Sequence, residues 1–313
     1  MYLHEDKDQL LRVSEIVARW AEQPVSHVVK DYYVTLMLKE TLAANDQLVF
    51  KGGTALSKCY GVIKRFSEDI DLGIEEGYAT QGQRKKIKLA ITEAAQKLGL
   101  EITNIDQTRS RREFNRYEIP LPGNYADGVL APRLYVETAV MTPISPTERR
   151  QVSSLIGEYL AEVGRAELVD EYALTPFEVR ATSLERSLCD KVFAVCDYYL
   201  EGKNLEKPSR HIYDIHKLLT SVSLTGDLAA LMDGVRLERR VSSLNCPSAE
   251  ESVDIATVLR EIIDREAYRR GYERTTSRLL NPGENVSYDA AIVSVERIIS
   301  FLENGYCDDN LER

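Results

Sequence analysis

Two aspartates separated by one residue are the strongest chemical feature of the sequence. Asp69 and Asp71 lie in E-D-I-D-L, where acidic and apolar residues alternate as in a β-strand. Successive side chains of a strand point to opposite faces, so the two carboxylates share one face, with Cα atoms roughly 6.6 Å apart. Their mutual repulsion is relieved by a cation, and hard oxygen ligands favour Mg²⁺. Two such ions, about 3.5 to 4 Å apart, can clamp the attacking and leaving oxygens of a nucleotidyl transfer. Alone, the pattern is also typical of a solvated strand face.

A double glycine precedes the acid pair. The β-prone run Leu48-Val49-Phe50 leads into Gly52, Gly53 and Thr54, after which the spacing is helical. Glycines let backbone N–H groups approach a triphosphate, and Thr54 is placed to cap the helix and donate to phosphate. The alternative is an ordinary tight turn with Thr54 as a plain N-cap. The G-x-x-x-x-G-K-[ST] pattern of a P-loop is absent.

A third carboxylate lies in a later β-like run. Glu137 stands within the otherwise apolar stretch from Leu134 to Val140. A glutamate on a buried strand must be paired or liganded, so Glu137 is a candidate metal ligand or general base. The alternative is a glutamate on an edge strand that faces water or pairs with Arg133.

Two later helices each carry a candidate charge. Lys191 lies inside an apolar helical stripe, where an unpaired ammonium costs several kcal/mol, so it must meet a protein carboxylate or a phosphate. Asp214 lies in the amphipathic stretch from Ser209 to Leu219. The alternative for Asp214 is a surface pair with Arg210, four residues earlier.

Composition excludes several classes of protein. The 313 residues are 43% hydrophobic, carry a net charge of −10 and include four histidines and five scattered cysteines. This argues against histidine-rich metal sites, disulfide scaffolds and sequence-independent coating of nucleic acid. No stretch reaches the length of a membrane span, so we expect a cytoplasmic protein without membrane contact.

Two basic segments are candidate acceptor surfaces for RNA. Each can equally be a solvated face with local ion pairs. The first combines arginines with tyrosines: Arg265, Tyr268, Arg269, Arg270, Tyr272, Arg274 and Arg278. The second comprises Arg109, Arg111, Arg112 and Arg116.

The element pattern predicts an α+β protein with two lobes. Two helices, a strand–turn–helix–strand unit, a helix at 81–98 and β-like segments at 111–121 and 133–141 form a small mixed sheet flanked by helices. Thr142-Pro143-Ile144-Ser145-Pro146 is the linker candidate. Beyond it we expect a mostly helical lobe, beginning with a helix at 147–163. The predicted domains are 1–145 and 146–313.

The glycine turn and the acid pair together carry a family resemblance. F-K-G-G-T-A-L-S-K followed by R-F-S-E-D-I-D-L resembles the first motif of the AbiEii family of bacterial nucleotidyltransferase toxins, which have a DNA-polymerase-β-like catalytic lobe. The resemblance implies that Gly52, Gly53 and Thr54, with Ser67, hold the triphosphate. It also implies that Asp69 and Asp71 bind magnesium, with Glu137 as the third acid of a two-metal site.

The later helices are similar to the C-terminal motifs of the same family. The first motif, E-x-x-x-x-D-K, ends at Lys191, and the second, R-x-x-Y-D-[IL], contains Asp214. The resemblance implies that Lys191 neutralises triphosphate charge and that Asp214 completes the active site. Family members commonly have an aspartate where this chain has His211, which makes Asp214 a less secure assignment.

The resemblance implies a toxin of a toxin–antitoxin system. Such an enzyme transfers a nucleoside monophosphate from an NTP to the 3′ end of tRNA and blocks translation. An antitoxin encoded nearby would be its partner, with or without direct contact. Two alternatives stay open: transfer to a protein or a small molecule such as an aminoglycoside, and a catalytically silent nucleotide-binding module.

Overall fold

The chain packs as two units. The computed structural model describes residues 1–67, 69–74, 79–123, 132–140, 144–241 and 245–304. The first unit comprises Met1–Gly61 and Phe66–Thr182, and the second comprises Val62–Arg65 and Ser183–Arg313. Packing therefore assigns 146–182 to the first unit. The division into a nucleotidyltransferase domain and a C-terminal domain at residue 145 stays a prediction. Thr142 and Pro143 of the linker candidate lie outside the described ranges.

A six-stranded mixed sheet forms the centre of the first unit. Its strands lie in the order β3-β4-β2-β1-β6-β5, so β2 lies in the interior of the sheet. The pairs β1/β2, β3/β4 and β5/β6 are antiparallel, whereas β1/β6 and β2/β4 are parallel. The strands are β1 (Leu48–Lys51), β2 (Asp69–Ile74), β3 (Phe114–Pro120), β4 (Arg133–Ala139), β5 (Thr147–Val152) and β6 (Phe177–Thr182).

The helices of the first unit pack against the sheet and against one another. They are α1 (Lys7–Trp20), α2 (Val25–Ala44), α3 (Gly52–Lys58), α4 (Gln81–Lys97), α5 (Leu155–Glu162) and α6 (Ala166–Glu171). The apolar helix α2 contacts β2, β4, α1, α4 and α5. Because side chains alternate along β2, Ile70 and Leu72 enter this core while Asp69 and Asp71 take the opposite face.

The helix predicted at 147–163 is wrong in its first half. Residues Thr147–Val152 form β5, which pairs with β6 at the edge of the sheet, and the helix begins only at Leu155. Charged side chains are typical of edge strands because they discourage pairing with other chains. Arg149, for example, pairs with Glu178 of β6 at 2.6 Å.

The second unit is mostly helical. Its helices are α7 (Leu184–Leu200), α8 (Arg210–Leu218), α9 (Gly226–Arg240), α10 (Ile255–Asp264), α11 (Arg269–Gly271), α12 (Ser277–Leu279) and α13 (Tyr288–Asn304). Ser183 caps α7 by accepting a hydrogen bond from the backbone N–H of Arg186. The predicted α+β class, a small mixed sheet flanked by helices with a mostly helical lobe, is confirmed. Within the described ranges, no helix has both the length and the apolar character needed to cross a membrane.

The tyrosines of the first basic segment belong to the core of the second unit. Tyr268 and Tyr272 are 0% and 1% exposed. Tyr268 donates to the backbone oxygen of Val195 at 2.7 Å. Arg269 forms ion pairs with three acids, which are Glu266, Glu273 and Asp289. Both tyrosines are therefore too deeply buried to contribute to a candidate RNA surface.

We expect Tyr268→Phe to lower the free energy of unfolding by about 0.5–1.5 kcal/mol, because it removes a buried hydrogen bond to the backbone of α7. Tyr199→Phe is the matched control. It removes a hydroxyl from an exposed contact with Glu261 and should change stability by less than about 0.5 kcal/mol. Urea unfolding of both variants measures the difference. Equal losses would show that Tyr268 does not hold the core in this way.

Candidate active site

Three acids and a lysine share one face of the sheet. Asp71 of β2 lies opposite Glu137 in the parallel strand β4 and opposite Lys51 in the antiparallel strand β1. Residues in register point to the same side of a sheet, and Asp69 shares that side by alternation. Asp69 is 5% exposed, and Asp71 and Glu137 are half-buried. The structure thus brings together the three acids predicted as metal ligands.

Gly52 makes room for the carboxylate of Asp71. Its φ of +78° lies in the left-handed region. A Cβ placed on Gly52 would lie 1.9 Å from Oδ2 of Asp71 and 2.7 Å from its Cγ. Only glycine meets both demands, because it tolerates the positive φ and has no side chain to collide with the acid. The glycine turn and the acid pair are therefore one structural feature.

Thr54 ties helix α3 to the first residue of β2. Its hydroxyl donates to the backbone oxygen of Asp69 at 2.6 Å and lies 3.0 Å from Oγ of Ser67. The side chain is 2% exposed. The N-cap of α3 is Lys51, whose side chain makes no capping bond, so the prediction that Thr54 caps this helix is wrong. Thr54 instead holds Asp69 and Ser67 together.

Glu137 has an arginine partner that the sequence did not indicate. Arg116 of β3 lies in register with Glu137, and its Nε donates to Oε1 at 2.8 Å. The guanidinium also lies 4.4 Å from the centre of the Tyr135 ring. Partial burial opposes the charge, but Glu137 and Asp69 raise the pKa of Arg116. Arg133 pairs with Glu118 instead, and β4 is an interior strand, so the edge-strand alternative for Glu137 is wrong.

The donor set fits a metal that arrives with a phosphate ligand. Among the described residues, no three acidic, histidine or cysteine side chains are arranged to hold an ion by themselves. Asp69 and Asp71 supply two carboxylates on one face, while Arg116 engages Glu137. Mg²⁺ commonly binds one or two carboxylates together with substrate phosphates and water. Asp69 and Asp71 are therefore the residues that would hold it, and Glu137 as third ligand stays a prediction.

A buried carboxylate between two cations lies in the second unit. Asp214 is 0% exposed and Arg65 is 1% exposed. Nε and Nη2 of Arg65 donate to the two oxygens of Asp214 at 2.6 and 2.8 Å, and Nζ of Lys191 lies 3.0 Å from Oδ2. Burial favours the neutral acid, but Arg65 and Lys191 hold the pKa of Asp214 well below its usual value. The alternative of an exposed surface pair for Asp214 is wrong.

His211 is a neutral partner of Lys191. Its Nδ1 lies 3.2 Å from the Lys191 ammonium. Burial, reinforced by the charge of Lys191, lowers the pKa of His211 to about 3. The ring therefore accepts from Lys191 at Nδ1 and carries its proton on Nε2. Burial also lowers the pKa of Lys191, although Asp214 opposes the shift. Within the described part of the chain, these contacts use two of the three ammonium hydrogens.

Arg65 is the residue of this cluster that sequence reasoning missed. The segment Val62–Arg65 packs in the second unit, where the backbone N–H of Lys64 donates to the hydroxyl of Tyr213 at 3.0 Å. The oxygen of Lys64 accepts from the backbone N–H of Asn281 at 2.9 Å. Arg65 and Asp214 are 149 positions apart, and no local pattern pairs them. The only signal was the position of Arg65 inside the first motif.

Comparison with known proteins decides the family. A sequence model described as "Nucleotidyl transferase AbiEii toxin, Type IV TA system" matches residues 37–293. The chain belongs to the AbiEii family. Membership implies a nucleotide substrate and a cognate antitoxin. The matched range includes the acid pair of the first unit and the Lys191–Asp214 cluster of the second.

Individual relatives add little to this result. None of the curated proteins matches the chain. Among solved structures, MenT4, a nucleotidyltransferase toxin from Mycobacterium tuberculosis, matches with a TM-score of 0.48 and 16% sequence identity. The alignment covers 94% of this chain and 91% of that chain.

The role of Gly52 in this AbiEii-family chain can be tested with a second glycine. Gly52→Ala introduces a collision with Asp71 on top of a positive φ, whereas Gly61→Ala introduces only the strain, since its Cβ would meet nothing within 4 Å. We expect Gly52→Ala to lower the free energy of unfolding by about 1–3 kcal/mol more than Gly61→Ala. Urea unfolding measures both. Similar losses would mean that the Asp71 carboxylate moves aside freely.

The ionised state of Asp214 gives a prediction for the pH dependence of stability. A carboxylate with a lowered pKa stabilises the fold above its unfolded pKa and loses that contribution as the pH falls through its folded value. Asp214→Asn leaves two buried cations unbalanced and should cost about 3–5 kcal/mol at neutral pH. The difference from the unmutated chain should stay constant until the pH falls below the ordinary value of 3.8 and shrink only there.

Unfolding free energies at a series of pH values measure this difference. Glu178→Gln is the control, because it breaks the exposed pair with Arg149 and should cost less than about 1 kcal/mol. If Asp214→Asn does not fold, Lys191→Met tests the same cluster while leaving the Arg65–Asp214 pair intact. A difference that fades near neutral pH would contradict a lowered pKa for Asp214.

Proposed function

We propose that this chain transfers a nucleoside monophosphate from an NTP to the 3′ end of tRNA, with release of pyrophosphate. The observation that carries the proposal is the carboxylate of Asp71 seated against Gly52, with Asp69 on the same face. This arrangement supports the proposal because it sets two carboxylates, which suit a metal ion, beside a glycine turn, which suits a triphosphate. A nucleotide added to the 3′ end of tRNA would prevent aminoacylation and so block translation.

The glycine turn is proposed to hold the triphosphate. The backbone N–H groups of Gly52 and Gly53 would donate to the phosphates, and Ser67 would supply a hydroxyl. The hydrogen of the Thr54 hydroxyl is donated to the backbone of Asp69 at 2.6 Å. We therefore assign Thr54 to nucleotide binding through the placement of Asp69 and Ser67. Lys51, in register with Asp71, adds a cation on the same face.

Asp69 and Asp71 are proposed to bind Mg²⁺ together with the nucleotide. Bound there, the metal would polarise the phosphate oxygens and stabilise the charge that develops during transfer. The two aspartates contribute their charge and their fixed separation along β2. Because they are only two carboxylates, affinity for Mg²⁺ should be low without nucleotide and should rise when NTP supplies phosphate oxygens.

The transfer step exchanges one phosphorus–oxygen bond for another. The oxygen of the acceptor hydroxyl bonds to the α-phosphorus, and the bond from that phosphorus to the bridging oxygen of pyrophosphate breaks. The hydroxyl proton must pass to a base, and Glu137 is our candidate. Arg116 holds Glu137 in place at 2.8 Å beside Asp71.

Lys191 and Asp214 are proposed to serve the same reaction. The assignment rests on the similarity of their helices to family motifs. Arg65 and Lys191 together outweigh the single charge of Asp214, so the cluster keeps a net positive charge. The positive charge of Lys191 would neutralise triphosphate charge in the transition state. Asp214, fixed by two bonds from Arg65, would orient the ammonium.

The reaction can be tested with labelled nucleotides. Purified protein is incubated with Mg²⁺, bulk bacterial tRNA and each α-labelled NTP in turn. We expect label in tRNA with at least one NTP, and a loss of at least about 100-fold in Asp71→Asn and Lys191→Met, which remove charge aimed at the transferring group. Asp233→Asn, at an exposed position of α9, is the matched control and should keep full activity.

The outcomes separate the possible acceptors. Label that enters the protein fraction or a small molecule, and not RNA, would overturn the tRNA assignment while keeping the nucleotide chemistry. Binding of NTP without transfer to any acceptor would favour a silent module. Loss of activity in Asp233→Asn equal to that in Asp71→Asn would contradict a specific role for the acid pair.

A further inference from the structure

An exposed basic surface lies beside the start of β3 in the first unit. We call it the α4–β3 surface and define it by Lys85 of α4 and by Arg109, Arg111 and Arg112, all of which are exposed. The segments 84–88 and 105–113 carry seven lysines and arginines against two acids, in a chain whose net charge is −10. Such a local excess of positive charge on an acidic protein is typical of a site for a polyanion.

Hydrogen bonds fix the two segments to each other. Nη1 of Arg84 donates to the backbone oxygen of Arg111 at 2.9 Å. Nζ of Lys88 donates to the backbone oxygen of Thr108 at 2.9 Å. Arg84 also pairs with Glu113 at 3.3 Å, which neutralises one of the two acids. The cations of the α4–β3 surface are therefore carried by an ordered backbone.

These cations lack acidic partners. Within the described ranges, none of the four side chains of the α4–β3 surface forms an ion pair. The side chains of Arg109 and Arg112 reach only the backbone oxygens of Thr108 and Gln107. By contrast, Arg269 of the other basic segment is bound by three acids. Phosphates are the ligands that relieve repulsion among such unpaired cations.

An exposed aromatic ring continues this surface towards the acid pair. Phe114, two residues after Arg112, is 44% exposed and opens β3. Phe114 and Arg116 alternate onto the same face, where Arg116 pairs with Glu137 beside Asp71. Each step of two residues advances about 6.6 Å along the strand. The face thus offers cations, then an aromatic ring, then the carboxylates.

We propose that the α4–β3 surface and Phe114 bind the single-stranded 3′ segment of the RNA acceptor and direct its end to Asp69 and Asp71. The inference rests on the proposed function, which it deepens by naming where the acceptor lies. Unpaired cations hold the phosphates, and the ring of Phe114 stacks on an unpaired base. A double helix would hide its bases from Phe114, so the surface favours an unpaired end.

Binding of bulk tRNA without NTP tests the surface separately from the reaction. The variant Arg109→Glu/Arg111→Glu/Arg112→Glu should lower affinity at least about tenfold and reduce the slope of log K against log salt by about two to three. The matched control is Lys7→Glu/Arg12→Glu/Arg19→Glu. It makes the same change of net charge at exposed positions of α1. The control should keep most of the affinity and the slope.

Phe114 and Lys85 each have a control of their own. Phe114→Ala should weaken the binding of single-stranded RNA several-fold, whereas Leu89→Ala, at a residue 55% exposed on α4, should not. Lys85→Glu should weaken binding more than Lys86→Glu. Lys86 is also exposed but lies about 160° around α4 from both Arg84 and Lys88. Nucleotide binding should be unchanged in all these variants, which shows that they fold.

The binding and transfer assays together separate the two proposals. If the unmutated protein labels tRNA and both triple variants do so equally well, the surface proposal is overturned and the proposed function stands. If the unmutated protein binds tRNA through this surface but transfers nothing to it, the surface stands and the proposed reaction is overturned. If the unmutated protein binds no RNA, both are overturned.

Discussion

A carboxylate occupies the place where residue 52 would carry a side chain, and the local architecture of the first unit follows from this contact. The turn between β1 and α3 must lie close enough for Asp71 to rest against the Cα of Gly52. Antiparallel pairing of β1 with β2 and the bond from Thr54 to the backbone of Asp69 fix the same approach. The glycine turn and the strand that carries the acid pair therefore cannot move independently.

The charged clusters of the two units have opposite excess charge. On the sheet face, three acids, Asp69, Asp71 and Glu137, lie with two cations, Lys51 and Arg116. In the second unit, two cations share one carboxylate, so Lys191 gains from an added anion. The two clusters therefore differ in the sign of the charge that is in excess.

Features set by local periodicity could be predicted from the sequence. Alternation placed Asp69 and Asp71 on one face, and the apolar stripe around Lys191 required an anion, which is Asp214. Features set by partners distant along the chain could not. Arg65 meets Asp214 across 149 positions, and nothing around either residue signals the other.

Three local patterns led to wrong predictions, because the residues involved have a different structural role from the one that the pattern suggests. Charges on β5 protect a sheet edge but resemble those of a solvated helix, so a helix was expected there. Arginines around Tyr268 suggested an exposed ring, although its hydroxyl reaches a buried oxygen and lets the whole side chain enter the core. Thr54 is a residue type that is common at helix N-caps, yet its hydroxyl donates to the backbone of β2.

The short segment Val62–Arg65 determines how this polypeptide can be divided. A truncation that ends at Thr182 would retain Arg65 and discard Asp214, Tyr213 and Asn281, which are its surroundings. A fragment that begins at Ser183 would retain the buried acid without its bidentate guanidinium. The first cut takes the guanidinium away from its acid, and the second leaves Asp214 with Lys191 but without Arg65. Fusion at the 182/183 boundary therefore separates Arg65 from Asp214, and functional chimaeras must exchange the first motif and the C-terminal helices as a set.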